Sequence, residues 1–194
     1  MKIHESQPMN NLNTAKRLTL RQWRLEDRQT FRHMGQDLEV MRYFPSLLSF
    51  AESDHLAQRI YDLIDKQGWG FWAVELVKTE EFIGFVGLHK QEKSSGLPNT
   101  PFVEIGWRLS HEYWGKGYAH EAAQLALKYA FEVLNCEQVY AFTSLTNKPS
   151  RRLMTKLGMT DLKQDFDHPK VSVPSLKRHC LYIIEYQQWL STQL

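Results

Sequence analysis

Cysteine is nearly missing from this chain. Two residues in 194, Cys136 and Cys180, cannot build a disulfide framework. No apolar run approaches the roughly 20 residues that span a bilayer, so no membrane association is expected. The opening MKIHESQPMNNLNT holds no apolar signal-peptide core, and a cytoplasmic location is the expectation. A surplus of one charge sign is lacking too. The 24 Lys and Arg stand against 22 Asp and Glu, a net +2, which gives no general case for nucleic-acid binding. There is no internal repeat and no linker-like stretch that would divide the chain. What is present, 42% hydrophobic and 24% charged residues, is the make-up of one globular domain able to bury a core. Residues 1–15, polar and rich in Asn, read as a flexible lead-in, and 16–194 as a single domain.

The most informative stretch is Val103–Ala130. Val103, Ile105, Trp107 and Leu109 alternate with Glu104, Gly106, Arg108 and Ser110, the period of a strand. After Trp114-Gly115-Lys116-Gly117-Tyr118-Ala119 the period becomes helical, with Ala119, Ala123, Ala126, Ala130 and Val133 on one stripe. Two glycines ahead of a helix leave backbone N–H groups unobstructed at the positive end of its dipole, a seat for a pyrophosphate. A Walker loop does not fit this spacing, and the dinucleotide fingerprint would need glycine where His120 stands.

Around that stretch the chain reads as alternating elements. A strand from Lys16 is followed by a helix opened by Glu26 and Asp27, then by an apolar helical piece at 40–44 that Pro45 stops. A long helix runs from Ser49 to Gln67 with Gly68 as its cap. Strands at 69–77 and 82–90 form a hairpin, and 91–101 is a loop. A strand at 138–143 leads into a basic helix that ends at Gly158, and strands at 159–166 and 179–186 flank a loop at 167–174.

The run Trp114-x-x-Gly117-x-Ala119 resembles the coenzyme A loop of the GNAT superfamily of N-acetyltransferases, whose pattern is Gln/Arg-x-x-Gly-x-Gly/Ala. Its opening Trp departs from the superfamily pattern and is similar to the ribosomal-protein N-terminal acetyltransferase branch, where Tyr-Trp-Gly-Lys-Gly-Tyr-Ala is familiar. A second run, Asn147-x-x-Ser150 followed by Lys156-Leu157-Gly158-Met159, resembles the same family's later signature. The resemblance covers about Lys16 to Tyr186. It implies an α/β (α+β) fold: a mixed, mostly antiparallel sheet of six to seven strands, helices on both faces, and splayed central strands that hold acyl-CoA.

Site residues follow from the same resemblance. It implies that backbone groups of Trp107, Arg108 and Leu109 pair with the pantetheine arm, one of their amides polarising the thioester carbonyl. It places Trp114, Gly115, Lys116, Gly117, Tyr118, Ala119 and His120 around the pyrophosphate, Asn147 on the arm or the acceptor, and Arg151 near phosphate. Many relatives protonate the departing thiolate with a Tyr where this chain has Met154, which has no proton to give. Ser150 is then the stand-in, or else simply a helix-start Ser bonding a neighbouring amide. Acetylation needs a neutral amine, and Glu104 is the candidate base, an exposed strand Glu being the alternative. The segment 165–182 would close one side of the acceptor cleft. Trp23, Trp69, Phe71 and Trp72 would either shape the acceptor pocket or pack the core. Asp167-His168 and His179-Cys180 match no zinc spacing, and no metal is expected.

The expected activity is transfer of an acetyl group from acetyl-CoA to a primary amine, a small molecule or a protein N-terminus, by direct attack in a ternary complex. The competing reading is a non-catalytic acyl-CoA-binding or sensor domain on the same fold. The expected assembly is a monomer or homodimer.

Overall fold

The structure, a computed structural model, describes residues 14–193, so most of the expected lead-in, and residue 194, lie outside the described residues. Thr14 already belongs to the fold, bridging to Thr19.

The sheet is built from β1 (Leu18–Arg21), β2 (Phe71–Leu76), β3 (Phe82–Gln91), β4 (Phe102–Leu109), β5 (Gln138–Ser144), β6 (Thr160–Asp161), β7 (Phe166–Asp167) and β8 (Arg178–Glu185). Their order is β1-β2-β3-β4-β5-β8-β6, with β7 also on β8. Every pairing is antiparallel except β4 with β5. The helices are α1 (Asp27–Gln36), α2 (Phe50–Gln67), α3 (Tyr118–Glu132), α4 (Lys148–Lys156), α5 (Pro174–Lys177) and α6 (Tyr186–Ser191).

The pleat decides which helix lies where. Adjacent strand residues point to opposite faces. Phe85 meets Phe31 of α1 at 5.9 Å between ring centroids, while Trp72, on the other face, meets Tyr129 of α3 at 4.9 Å. Helices α1 and α3 therefore cover opposite faces, and residues 82–88 of β3 are buried throughout. Glycine at 87 is what lets β2 and β3 approach, since a Cβ there would run into the Gly70 carbonyl oxygen. Helix α1 is held to the sheet edge by Arg21, whose guanidinium grips buried Asp27 with two bonds of 2.8 Å and donates to Glu75 at 2.6 Å. Ser49 and Glu52 form a full capping box on α2, and Gly68 closes that helix in the left-handed conformation.

Three expectations need correction. Residues 40–44 are apolar as read, with Val40 and Met41 buried, but they form turns, because the Asp37 carboxylate accepts the Glu39 and Val40 amides. The sheet has eight strands, one more than the upper expectation, because 159–166 does not run through as one strand. The Asp161 side chain accepts the Lys163 amide at 2.9 Å, Lys163 turns to φ 58, and the segment divides into β6 and β7. Helix α6 was missed, and its Trp189 packs on Phe131 of α3.

Candidate active site

Strand β4 is fully registered against β3, from Phe102 opposite Gln91 to Leu109 opposite Gly84. Against β5 it has one register pair, Glu104 with Tyr140, after which the two strands part. The opening lies beside 105–109, which includes Trp107, Arg108 and Leu109, where backbone contacts to an arm were expected.

Glu104 stands at the start of that opening. It is 9% exposed, not the surface carboxylate of the alternative reading, because β4 is covered on both faces. Gln91 donates to its Oε2 at 3.0 Å. Burial pushes its pKa up to about 7, the Gln91 bond opposing that rise. A carboxyl group in this state changes charge near neutrality, as a general base requires.

The second motif reaches the opening from the other side. Asn147 caps α4, its Oδ1 accepting the Ser150 amide at 3.2 Å while its Nδ2 donates to Thr143 Oγ1 at 2.9 Å. Both ends of this side chain are thus engaged within the protein. Ser150 does not bond a neighbouring amide; its Oγ accepts the indole N–H of Trp107 at 3.0 Å. That bond joins β4 to α4 and leaves the hydroxyl hydrogen free to donate. Met154 is 2% exposed, a core residue.

The loop has the form a phosphate would need. Gly115 and Gly117 take φ 73 and 84, and Gly117 caps α3 with no side-chain bond to its first amides. Nothing lies within 4 Å of a Cβ built on Gly115, and a Cβ on Gly117 meets only Arg17 Nη2, at 3.3 Å. Lys116 is exposed and Tyr118, Ala119 and His120 are half-buried along the first turn of α3. Burial lowers the His120 pKa, with Lys156 adding to the fall. Trp114 explains its own departure from the superfamily pattern: its indole N–H donates to the Leu109 carbonyl at 2.8 Å and ties the loop to the end of β4. That carbonyl is thereby engaged. Arg17 is a residue the sequence reading missed. Its guanidinium donates to the Lys116 carbonyl at 3.0 Å and pairs with Glu121 at 2.7 Å, bracing the loop from β1's approach. No spacing links positions 17 and 116, so only the fold reveals it. Arg151 turns toward the Leu145 carbonyl and Asp161, not toward the loop residues.

On the face of α1, Glu104, Gly106 and Arg108 follow one another along β4. The Phe71 ring lies over Gly106, while Trp23 and Trp72 belong to the core. Beyond β5 a smaller apolar cluster of Leu97, Phe102, Tyr140 and Leu181 is flanked by Phe142 and Phe166. The His168 and His179 rings meet there at a tilt, 4.9 Å between centroids. Burial lowers the His168 pKa to about 4, with His179 and Lys170 assisting.

The chain is similar in sequence and fold to known proteins. The family model for the acetyltransferase (GNAT) domain matches residues 17–160. An uncharacterised N-acetyltransferase, p20 of Bacillus licheniformis, is 30% identical over 160 residues, covering 80% of this chain and 87% of its own. The FsC-acetyl coenzyme A-N(2)-transacetylase of Aspergillus fumigatus is 29% identical over 174 residues, covering 87% of this chain and 73% of its own. The crystal structure of a GNAT-family acetyltransferase from Bacillus anthracis superposes with TM-score 0.74 at 25% identity, covering 90% of this chain and 98% of that one.

Proposed function

The chain belongs to the acetyltransferase (GNAT) family, and from that premise we propose that it moves an acetyl group from acetyl-CoA to a primary amine by direct attack in a ternary complex. The observation that carries the reading is the parting of β4 from β5 just past the buried Glu104. That opening offers unpaired strand backbone to an extended arm, with a titratable carboxyl group on one side and the Ser150 hydroxyl on the other.

In this mechanism the open glycine corner and the first amides of α3 receive the pyrophosphate. Lys116 lies beside it, and Arg17 fixes the loop backbone. Backbone groups of Trp107 and Arg108 pair with the pantetheine arm, and a strand amide there polarises the thioester carbonyl. Glu104 takes the proton of the attacking amine, directly or through water. Ser150, held by the Trp107 indole, donates its hydroxyl hydrogen to the departing thiolate. Asn147 positions Ser150 through its cap, and its second amide hydrogen is available to the arm. Within the family, Tyr113 to Ala119 resembles the ribosomal-protein N-terminal acetyltransferases, so a protein N-terminus and a small amine are the two acceptor classes to test.

The test is coenzyme A release measured over a panel of small amines and N-terminal peptides. Acetyl-CoA-dependent turnover with at least one acceptor is expected. Acetyl-CoA binding without turnover on any of them would replace this reading with a non-catalytic one.

A further inference from the structure

Among the described residues Arg108 has no counterpart for its charge. It is 9% exposed, and its Nε and Nη1 are buried without a hydrogen-bond partner among the described residues. No salt bridge reaches it there; its neighbours are aromatic faces, Phe44 at 4.0 Å and Phe85 at 5.4 Å. Burial pushes its pKa down to about 10, which still leaves a cation at neutral pH. Two stacked rings compensate a guanidinium only in part, and an unpaired buried charge is among the more costly features a fold can keep. Its hydrogen-bonding edge is shaped for a planar oxyanion.

Its position says whose oxyanion. Arg108 shares a strand and a face with Glu104, four residues or about 13 Å away along β4. Between them is Gly106, which puts no side chain into the gap and has the Phe71 ring above it. The coenzyme's phosphates do not match this place, because α3, whose start seats them, packs on the opposite face of the sheet. Phe44, whose ring lies over the guanidinium, sits on the turns after α1 and is itself 36% exposed, so Arg108 lies close beneath the surface on this side.

We infer that Arg108 binds a carboxylate carried by the acceptor itself, so that the substrate is a small amino carboxylate whose amine lies toward Glu104. This rests on the acetyl-transfer reading above and narrows its acceptor class. Polyamines fit poorly, since a second cationic end would meet Arg108. A protein N-terminus also lacks the carboxylate at a fixed distance from its amine.

The experiment compares α- and ω-amino acids with their carboxamides, with spermidine as a cationic control, by steady-state rates with acetyl-CoA. The free acids should exceed their matched amides by roughly 10- to 100-fold in kcat/KM, the range of a charge-assisted pair. In Arg108→Met that ratio should fall to about one, and Arg108→Lys, which keeps the charge without the fork, should recover part of it. Melting temperatures of both variants show whether the fold is intact; removal of the unpaired buried charge in Arg108→Met should not lower that variant's value. Should no acceptor turn over, calorimetry of the same acids and amides in the presence of coenzyme A decides the matter independently. An Arg108-dependent preference for the acid then upholds the site although the transfer reading has failed. Equal rates or binding for acid and amide, a preference for spermidine, or no binding at all would overturn it.

Discussion

Glu104 gives two expectations of opposite sign from one substitution. Its carboxyl group titrates near 7 in the folded chain, above the ordinary value of 4.5, because the charged form is poorly solvated where it sits. Between those two values the unfolded chain has released the proton and the folded chain has kept it. Stability therefore falls as pH rises through that window and levels off above about 7. Glu104→Gln removes the effect, so at pH 8 the variant should be the more stable by up to about 3 kcal/mol, with the gap closing toward pH 4.5. Urea denaturation at several pH values measures it. The same change should lower kcat/KM by roughly 10²–10⁴ at neutral pH, with recovery at higher pH as the amine deprotonates itself. A variant as active as the parent, with the same pH–rate profile, would assign the proton transfer elsewhere. Ser150 separates in another way. The α4 cap is supplied by Asn147, so Ser150→Ala should cost only about 0.5–1.5 kcal/mol of stability, from the lost Trp107 bond. It should also leave acetyl-CoA affinity nearly unchanged while kcat falls roughly 10- to 10³-fold. Full kcat in the variant would remove the hydroxyl from the mechanism.

At the scale of elements, the loop between β4 and α3 was legible because its chemistry is local. Left-handed glycines, a change of period and an uncapped helix start all sit within one short run of sequence. The expected consequence is that Gly117→Val, forced to hold φ 84 and crowding Arg17, weakens acetyl-CoA binding by about 1–3 kcal/mol. Gly68→Val is the matched comparison: it has nearly the same φ, 82, at the end of α2, with open space around it. It should lose similar stability, yet keep its affinity by calorimetry. Equal affinities in the two variants would count against the loop assignment. What could not be read was whatever depends on partners distant in sequence. The span of α2 and its Gly68 cap were read from local signals, but the turns at 40–44 depend on Asp37 capturing amides in competition with a helix. Strand 103–109 was read as alternating, with an exposed Glu104 as the alternative to a base. Its second face is covered by Phe44 at Arg108, by Gln91 at Glu104 and by Leu97 at Phe102, and sequence spacing carries no trace of that cover. The Trp107–Ser150 bond likewise spans two motifs that had been read separately.

For the whole molecule, the consequence of the fold is a sheet held open at its centre. Strands β1 to β4 form one continuous antiparallel ladder and β5 with β8 another, and a single register pair joins the two halves. Unpaired strand backbone at such a seam is hydrated and free to exchange, and a ligand that supplies the missing pairing should tie the halves together. Binding to the folded state alone stabilises it by mass action, about 2.7 kcal/mol at a free concentration a hundredfold above Kd. For a chain of this size that corresponds to a rise in Tm of about 5–10 °C. Acetyl-CoA should produce that rise, increasing with concentration. The location of the effect is the sharper criterion. Amide hydrogen exchange should slow at 106–109 and 141–144, on the two sides of the opening, and at 116–120 where the loop meets α3. It should change little at 73–75, which already pair on both sides. Protection spread evenly over the sheet, or confined to the loop, would mean that the arm does not enter the seam, and the parting of β4 from β5 would then have no role in binding.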